Sequence, residues 1–258
     1  MIRKKKSNKP RVNPIRAAVV YIFGLVIIFA GVYLFTLSPV GPLPEALPYL
    51  KTTDEVQVTS GGYTWFQPVK EPAQTGFIFY PGGRVDYRAY APMAAGLAEK
   101  GWPAAIVSMP LNLAVFGPDK AAGVIKDHPE VTRWVIAGHS LGGTMAAQFA
   151  EQNTASIAGI VFLASYPADS KMSSSNLPVL AVFAENDGLV TTEDREKFRP
   201  RFPQSTEWLV IEGGNHAGFG WYGNQEGDNP SSISLNEQGT QVLQAIDQFM
   251  RKVENKTK

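Results

Sequence analysis

The feature that most constrains this chain is a serine flanked by glycines, between an apolar strand pattern and a helix pattern of small residues. The run VIAGHSLGG at residues 135–143 places Ser140 in a G-x-S-x-G pattern with Gly138 and Gly142. Such a serine occupies a strained strand-to-helix turn, where a side chain two residues to either side would collide with the neighbouring strand or helix. The free N–H groups of the helix N-terminus point to the same place. The pattern therefore predicts an exposed, nucleophilic Ser140.

A nucleophilic serine needs a general base, and the base needs an acid that orients it. In chains with this turn, the acid and then the histidine follow the serine in sequence. Of the three histidines, only His216 lies downstream of Ser140, in a glycine-flanked segment after the strand-like residues 207–211. His128 precedes the serine and is predicted to be a solvated loop residue, and His139 belongs to the turn and is expected to point away from Ser140. His216 is therefore the predicted base.

Asp187 is the predicted acid. It follows residues 177–183, an apolar run typical of a strand that is buried on both faces of a parallel sheet. An aspartate at this position would accept the Nδ1 proton of His216, hold its tautomer and stabilise the imidazolium. Three other acidic residues are alternatives: Glu185, Asp169 and Asp194.

The negative charge that develops on the substrate oxygen requires two backbone N–H donors, an oxyanion hole. Leu141, the residue after the serine, is expected to supply one donor. The second is expected from residues 81–84, which follow the strand-like residues 76–80 and read Pro-Gly-Gly-Arg. Gly83 is the predicted donor, because glycines permit close backbone approach, and Arg84 is the alternative.

These motifs resemble those of the α/β-hydrolase superfamily, and more narrowly of its small dienelactone-hydrolase-like members. The likeness covers residues 55–253 and is carried by YPGGRVD at 80–86, GHSLGG at 138–143, Glu185–Asp187 and Gly214–His216. It implies an α/β fold with an eight-stranded, mostly parallel sheet, helices on both faces, and ester hydrolysis as the commonest activity. Dienelactone hydrolases use a cysteine nucleophile, whereas this chain has no cysteine. The resemblance therefore implies a serine esterase rather than a lactone hydrolase.

Alternating strand and helix patterns independently favour a parallel α/β sheet. Two strand patterns flank Ser60-Gly61-Gly62 and predict an antiparallel hairpin: Val56–Thr59 and Tyr63–Phe66. Six further strands are predicted at Phe77–Tyr80, Ala104–Met109, Trp134–Ala137, Ile160–Ala164, Val179–Phe183 and Trp208–Ile211. Helices are predicted at Ala89–Lys100, Gly117–Lys126, Thr192–Phe198 and after a capping box that begins at Ser234.

The predicted site is open, because only residues 165–176 separate two of these strands and no sizeable lid domain can be built from them. Tyr166 lies in this short segment. Just beyond His216, three aromatic residues could form an apolar substrate pocket with it, or could simply pack under a long loop: Phe219, Trp221 and Tyr222.

The amino end has a different character. Residues 1–16 carry seven basic side chains and no acidic one, and residues 17–37 form an uncharged, apolar run. At about 1.5 Å per residue, this run would span a hydrocarbon core of about 30 Å. It is longer than the apolar part of a signal peptide, so we predict an uncleaved, single-pass signal anchor, with a cleaved signal peptide as the alternative. The basic flank predicts a catalytic domain on the extracytoplasmic side of the cell membrane.

The predicted organisation is therefore a basic cytoplasmic tail (1–16), a transmembrane anchor (17–37), a Pro-rich, stiff linker (38–54) and a catalytic domain (55–258). Without the tail, 17 basic side chains oppose 23 acidic ones, a net charge of −6 that gives no reason to expect nucleic-acid binding. The sequence has neither a cofactor-binding motif nor histidine and cysteine spacing suited to a metal.

These patterns predict a membrane-anchored serine hydrolase that cleaves small-molecule carboxylic esters through an acyl-enzyme on Ser140, without a cofactor. Its contact with the lipid bilayer would be through the N-terminal helix. One alternative is an acyltransferase that uses the same Ser-Asp-His set, and another is a catalytically silent binding protein.

Overall fold

The computed structural model describes residues 14–36 and 39–255. Contacts divide the chain into two units, Met1–Ser38 and Pro39–Lys258. The first unit contains one helix, α1 (Pro14–Thr36), and most of the predicted basic tail, residues 1–13, lies outside the described residues. Within the described parts of the chain, no helix has both the length and the apolar character that crossing a membrane requires. The predicted transmembrane helix is therefore not supported.

The second unit is built on one eight-stranded sheet. Its strands are β1 (Val56–Ser60), β2 (Tyr63–Pro68), β3 (Thr75–Tyr80), β4 (Ala104–Val107), β5 (Arg133–His139), β6 (Ile157–Leu163), β7 (Val179–Ala184) and β8 (Glu207–Ile211). They lie in the order β1-β2-β4-β3-β5-β6-β7-β8. β2 is antiparallel to both of its neighbours, and all the other pairs are parallel. The predicted mostly parallel sheet and its initial hairpin are confirmed.

Helices cover both faces of the sheet because the central strands are apolar on both sides. In β3, Phe77 and Phe79 face the core on one side, and Ile78 and Tyr80 face the core on the other. The helices are α2 (Ala91–Glu99), α3 (Ala121–Asp127), α4 (Leu141–Gln152), α5 (Thr192–Phe198) and α6 (Leu235–Asn255). Buried residues of α2 and α6 belong to the first core, and those of α3 and α4 to the second.

Residues 39–50, part of the predicted linker, belong to the second unit and pack on its loops instead of forming an extended spacer. The N–H of Val40 donates to Arg84 O at 2.7 Å, and the N–H of Leu43 donates to Trp221 O at 2.7 Å. A short 3₁₀ helix follows at Pro44–Leu50, and its Ala46 is fully buried. The segment departs from the prediction because its backbone donors pair with two loops of the sheet edge.

Four segments that carry predicted site residues meet at one edge of the sheet. Residues after β3, β5, β7 and β8 share this edge, because the carboxyl ends of parallel strands lie together. Between β6 and β7 the chain forms only a short turn at Lys171–Ser174. This connection therefore contains no lid domain.

Candidate active site

The turn between β5 and α4 holds Ser140 in a strained conformation, with φ 50° and ψ −124°. A non-glycine residue with positive φ is uncommon and persists only where the surroundings enforce it. Here they do, because the turn is tightly packed. A Cβ on Gly138 would lie 2.4 Å from the Gly142 carbonyl carbon, and one on Gly142 would lie 2.2 Å from Tyr80 O. The Ser165 hydroxyl also donates to Ser140 O at 2.6 Å.

The structure brings Asp187 and His216 into direct contact. The two are joined through His216 Nδ1 and Asp187 Oδ2 at 2.9 Å, and both side chains are buried. Asp187 Oδ1 accepts the N–H groups of Leu189 and Val190 at 2.8 and 2.7 Å. A carboxylate held in this way accepts hydrogen bonds. It therefore favours the His216 tautomer in which the ring proton is on Nδ1. The other ring nitrogen then has a free lone pair.

His216 Nε2 is the atom that a general base would use. This atom is buried and has no hydrogen-bond partner among the described residues, so it has no hydrogen bond to Ser140 Oγ. The His216 ring centroid lies 4.5 Å from that of His139, the residue before Ser140, so the two loops are adjacent. Catalytic hydrogen bonds are often absent or long before substrate binds.

The three alternative acids contact other groups. Glu185 accepts the N–H of Gly213 at 2.8 Å, and Asp194 caps the start of α5 through Thr191. Asp169 forms an exposed ion pair with Lys171 at 3.1 Å. None of the three has a hydrogen bond to His216 within the described residues, whereas Asp187 binds the His216 ring.

The two residues predicted to supply the oxyanion donors are neighbours in the structure. Leu141 opens α4, where a backbone N–H has no partner inside the helix. A Cβ on Gly83 would lie 3.2 Å from the Leu141 side chain. The N–H of Arg84, the alternative donor, is already bonded to Asn112 O at 2.8 Å. Gly83 therefore suits the role better than Arg84.

His139 and Tyr90 form a buried pair behind the candidate site. The Tyr90 hydroxyl lies 2.8 Å from His139 Nδ1 and accepts the N–H of Gly82 at 3.1 Å. It therefore ties the loop after β3 to the end of β5. Burial lowers the pKa of His139 well below its usual value, and the nearby His216 lowers it further. No periodic sequence pattern indicated Tyr90, because its contacts join distant parts of the chain.

We expect the low pKa of His139 to make stability depend on pH. Its pKa is lower in the folded chain than in the unfolded one, so the unfolded chain binds more protons below about pH 6.5. The contribution of neutral His139 to the free energy of unfolding is complete above that pH and is lost as the pH falls. The free energy of unfolding can be measured with denaturant at several pH values from 7 to about 5. Its slope against pH should be steeper in the wild type than in His139→Asn, by up to about 1.4 kcal/mol per pH unit. Equal slopes for both proteins would contradict this prediction.

The predicted pocket residues occupy different surroundings. Phe219 and Tyr222 are each 4% exposed and pack against His139, with ring centroids 5.7 and 6.3 Å away. Trp221 contacts Tyr49 and lines a cavity beside α2 and α6 that does not include Ser140. Tyr166 stacks on Phe198 at 3.9 Å. Phe219 and Tyr222 are thus mainly packing residues, since they cover the buried His139.

His128 also differs from its prediction. Instead of being solvated, it stacks on Trp65 with ring centroids 3.7 Å apart and lies 2.9 Å from the Tyr63 hydroxyl. It lies against Tyr63 and Trp65 of β2, and none of its hydrogen bonds or ring contacts among the described residues involves Ser140. In residues 14–36 and 39–255, no cluster of histidine, cysteine or acidic side chains is suited to a metal ion.

Comparisons with known proteins agree with this architecture. A family profile described as "Alpha/beta hydrolase family" matches residues 76–240. A sequence search of curated proteins gave no match.

Three solved structures illustrate the structural likeness. The esterase Est2 of Thermogutta terrifontis has a TM-score of 0.59 at 12% identity, covering 78% of this chain and 93% of that one. Est1E of Butyrivibrio proteoclasticus has a TM-score of 0.57 at 15% identity, with coverages of 78% and 99%. An alpha-beta serine hydrolase homologue of Coxiella burnetii has a TM-score of 0.54 at 16% identity, with coverages of 78% and 98%. At these identities, the likeness shows the fold alone.

Proposed function

The chain belongs to the alpha/beta hydrolase family, and we propose that it is a serine hydrolase that cleaves carboxylic esters. One observation carries the proposal: a strained serine turn lies beside a histidine whose Nδ1 is held by a buried aspartate and whose Nε2 is unpartnered. A serine, a base and an orienting acid form the minimal set for acyl transfer through a covalent intermediate.

In the proposed reaction, Ser140 Oγ attacks the ester carbonyl carbon while His216 Nε2 takes its proton. Asp187 stabilises the resulting imidazolium through Nδ1. The N–H groups of Leu141 and Gly83 stabilise the negative oxygen of the tetrahedral intermediate. The C–O bond to the alcohol then breaks, and the alcohol leaves with the proton from Nε2. Water, deprotonated by His216, attacks the acyl-enzyme, and the acid leaves as Ser140 regains its proton.

An apolar loop beside Gly83 supports an acyl chain as the bound part of the substrate. Leu113 would lie 3.6 Å from a Cβ on Gly83, and Arg84 is bonded to Asn112 of the same loop. Leu111 and Phe116 on this loop are 56% and 57% exposed. An acyl chain of several carbons could cover these side chains while its carbonyl oxygen faces the oxyanion donors.

We therefore expect the enzyme to prefer longer acyl chains in a series of p-nitrophenyl esters from acetate to octanoate. Burying two methylene groups contributes about 1.6 kcal/mol, which corresponds to a little over tenfold in kcat/KM. The double variant Leu111→Ser/Phe116→Ser should lower kcat/KM for octanoate about tenfold and leave acetate unchanged. Val69→Ser is a matched control, because Val69 is 53% exposed and follows β2, which ends at the opposite edge of the sheet.

The outcomes separate the parts of this proposal. A wild type that hydrolyses no ester of the series would contradict the esterase function and favour a silent binding protein. Hydrolysis with an unchanged octanoate rate in the double variant would contradict only the acyl-chain site. Transfer of the acyl group to added alcohols in preference to water would identify an acyltransferase.

The proposed location is the extracytoplasmic face of the cell membrane, and its support is the sequence alone. Seven basic side chains precede the uncharged run at 17–37, an asymmetry that favours this orientation. Protease added to intact cells should digest the catalytic domain, and the cell-associated protein should retain its original amino end. A soluble product that begins near residues 38–48 would indicate a cleaved signal peptide. A protease-resistant, membrane-bound domain would contradict the orientation.

A further inference from the structure

A carboxylate outside the predicted site joins the two loops that carry its acid and its base. Asp228 lies between β8 and α6, in the segment that follows His216. Its Oδ1 accepts the N–H of Gly188 at 3.0 Å and that of His216 at 3.3 Å. Its Oδ2 accepts the N–H of Ala217 at 2.8 Å. Gly188 directly follows Asp187, so one side chain binds the backbone beside both members of the Asp187–His216 pair.

The segment around Asp228 is itself closely packed against the Asp187 loop. A Cβ on Gly188 would lie 2.6 Å from Gly227 O and 2.8 Å from the backbone nitrogen of Asn229. Asn229 O also accepts the side-chain amide of Asn215, the residue before His216, at 2.8 Å. Asp228 is therefore held in place from both loops, and its position is not that of a free surface side chain.

From these contacts, we propose that Asp228 is a positioning residue of the proposed hydrolase. Its carboxylate fixes the backbone of the acid loop relative to that of the base loop, and its negative charge favours the imidazolium form of His216. The inference rests on the proposed function, because alignment of this pair matters only if His216 acts as a base.

Two physical arguments support this role. Hydrogen bonds from N–H groups to a carboxylate are about twice as strong as those between neutral groups, so three of them restrain the loops firmly. The titratable groups beside His216 are Asp187 on the loop after β7, His139 at the end of β5, and Asp228 on the loop after β8. Tyr222 packs against His139. Burial raises the pKa of Tyr222, and the charges of Asp228 and Asp187 raise it further. The charges of Asp187 and Asp228 thus act on the same buried group, Tyr222.

The test compares Asp228→Asn with Glu226→Gln in the full chain. Both variants remove one negative charge from the same segment, but Glu226 is exposed and has no hydrogen bond or ion pair to another described residue. The readouts are kcat, KM and the pH profile of kcat/KM with a p-nitrophenyl ester. Thermal unfolding checks that each variant is folded.

We expect Asp228→Asn to lower kcat roughly 10- to 100-fold with little change in KM, because misalignment of reacting groups costs rate rather than ground-state binding. The acidic limb of its pH profile should move to lower pH, since the imidazolium loses a favourable charge. Asp228→Glu retains the charge and is expected to keep the wild-type acidic limb with a reduced kcat. It also serves as the test if Asp228→Asn does not fold. Glu226→Gln should match the wild type in every readout.

Two results would overturn the inference while leaving the proposed function intact. One is a wild type that hydrolyses esters while Asp228→Asn and Glu226→Gln behave alike. The other is a loss of kcat in Asp228→Asn with an unmoved acidic limb, which would indicate a purely structural contact. An inactive, folded wild type would instead contradict the proposed function.

Discussion

Replacing Asp187 with asparagine is expected to lower kcat about 10⁴-fold while leaving the fold intact. The N–H groups of Leu189 and Val190 both donate to Asp187 Oδ1, so the asparagine carbonyl oxygen would take that position. Its NH₂ group would then face His216 Nδ1 and favour the tautomer with the proton on Nε2. That tautomer cannot accept the proton of Ser140. The measurement is steady-state hydrolysis of a p-nitrophenyl ester, with circular dichroism as the check on folding.

Glu185→Gln is the matched control for this prediction. Glu185 lies two residues before Asp187, and its carboxylate accepts the N–H of Gly213 rather than contacting His216. We expect its kcat to remain within a few-fold of the wild-type value. A severe loss in Glu185→Gln together with a mild effect of Asp187→Asn would show that the acid is wrongly assigned.

Replacing Ser140 with alanine is expected to reduce turnover of any ester substrate by roughly 10³-fold or more, because the members of such a triad act as a unit. The turn should survive the change, since the Ser140 side chain caps no helix and the strain is enforced by the packing of Gly138 and Gly142. Thermal unfolding should therefore be close to that of the wild type. Ser205→Ala, at an exposed serine, should change neither activity nor stability.

The sheet could be predicted from the sequence because its strands are short apolar runs separated by polar turns. Each predicted strand overlaps an observed one, and the observed bounds differ from the predicted ones by at most three residues. One helix start was less accurate. The helix predicted from Gly117 begins at Ala121, because residues 114–120 form tight turns around Pro118.

The proposed catalytic residues Ser140, Asp187 and His216 could also be chosen from the sequence, since glycines and strand ends indicate where a chain presents reactive groups. Contacts between distant loops were not. An aromatic residue after His216 is consistent with both a pocket and a packed core, and only its contact with His139 distinguishes the two. The same limit applies to Asp228 and to Val40, whose partners lie in irregular segments without periodic patterns.

The most direct test of the central claim is to locate the residue that reacts with a fluorophosphonate probe. The probe forms a covalent bond with an activated serine, and trypsin would release the site in the peptide of residues 134–171. This peptide contains several serines, so fragmentation must assign the adduct. We predict a single adduct on Ser140 of the folded wild type and none in Ser140→Ala. An adduct on another serine, or labelling that persists in the variant, would contradict the proposed mechanism.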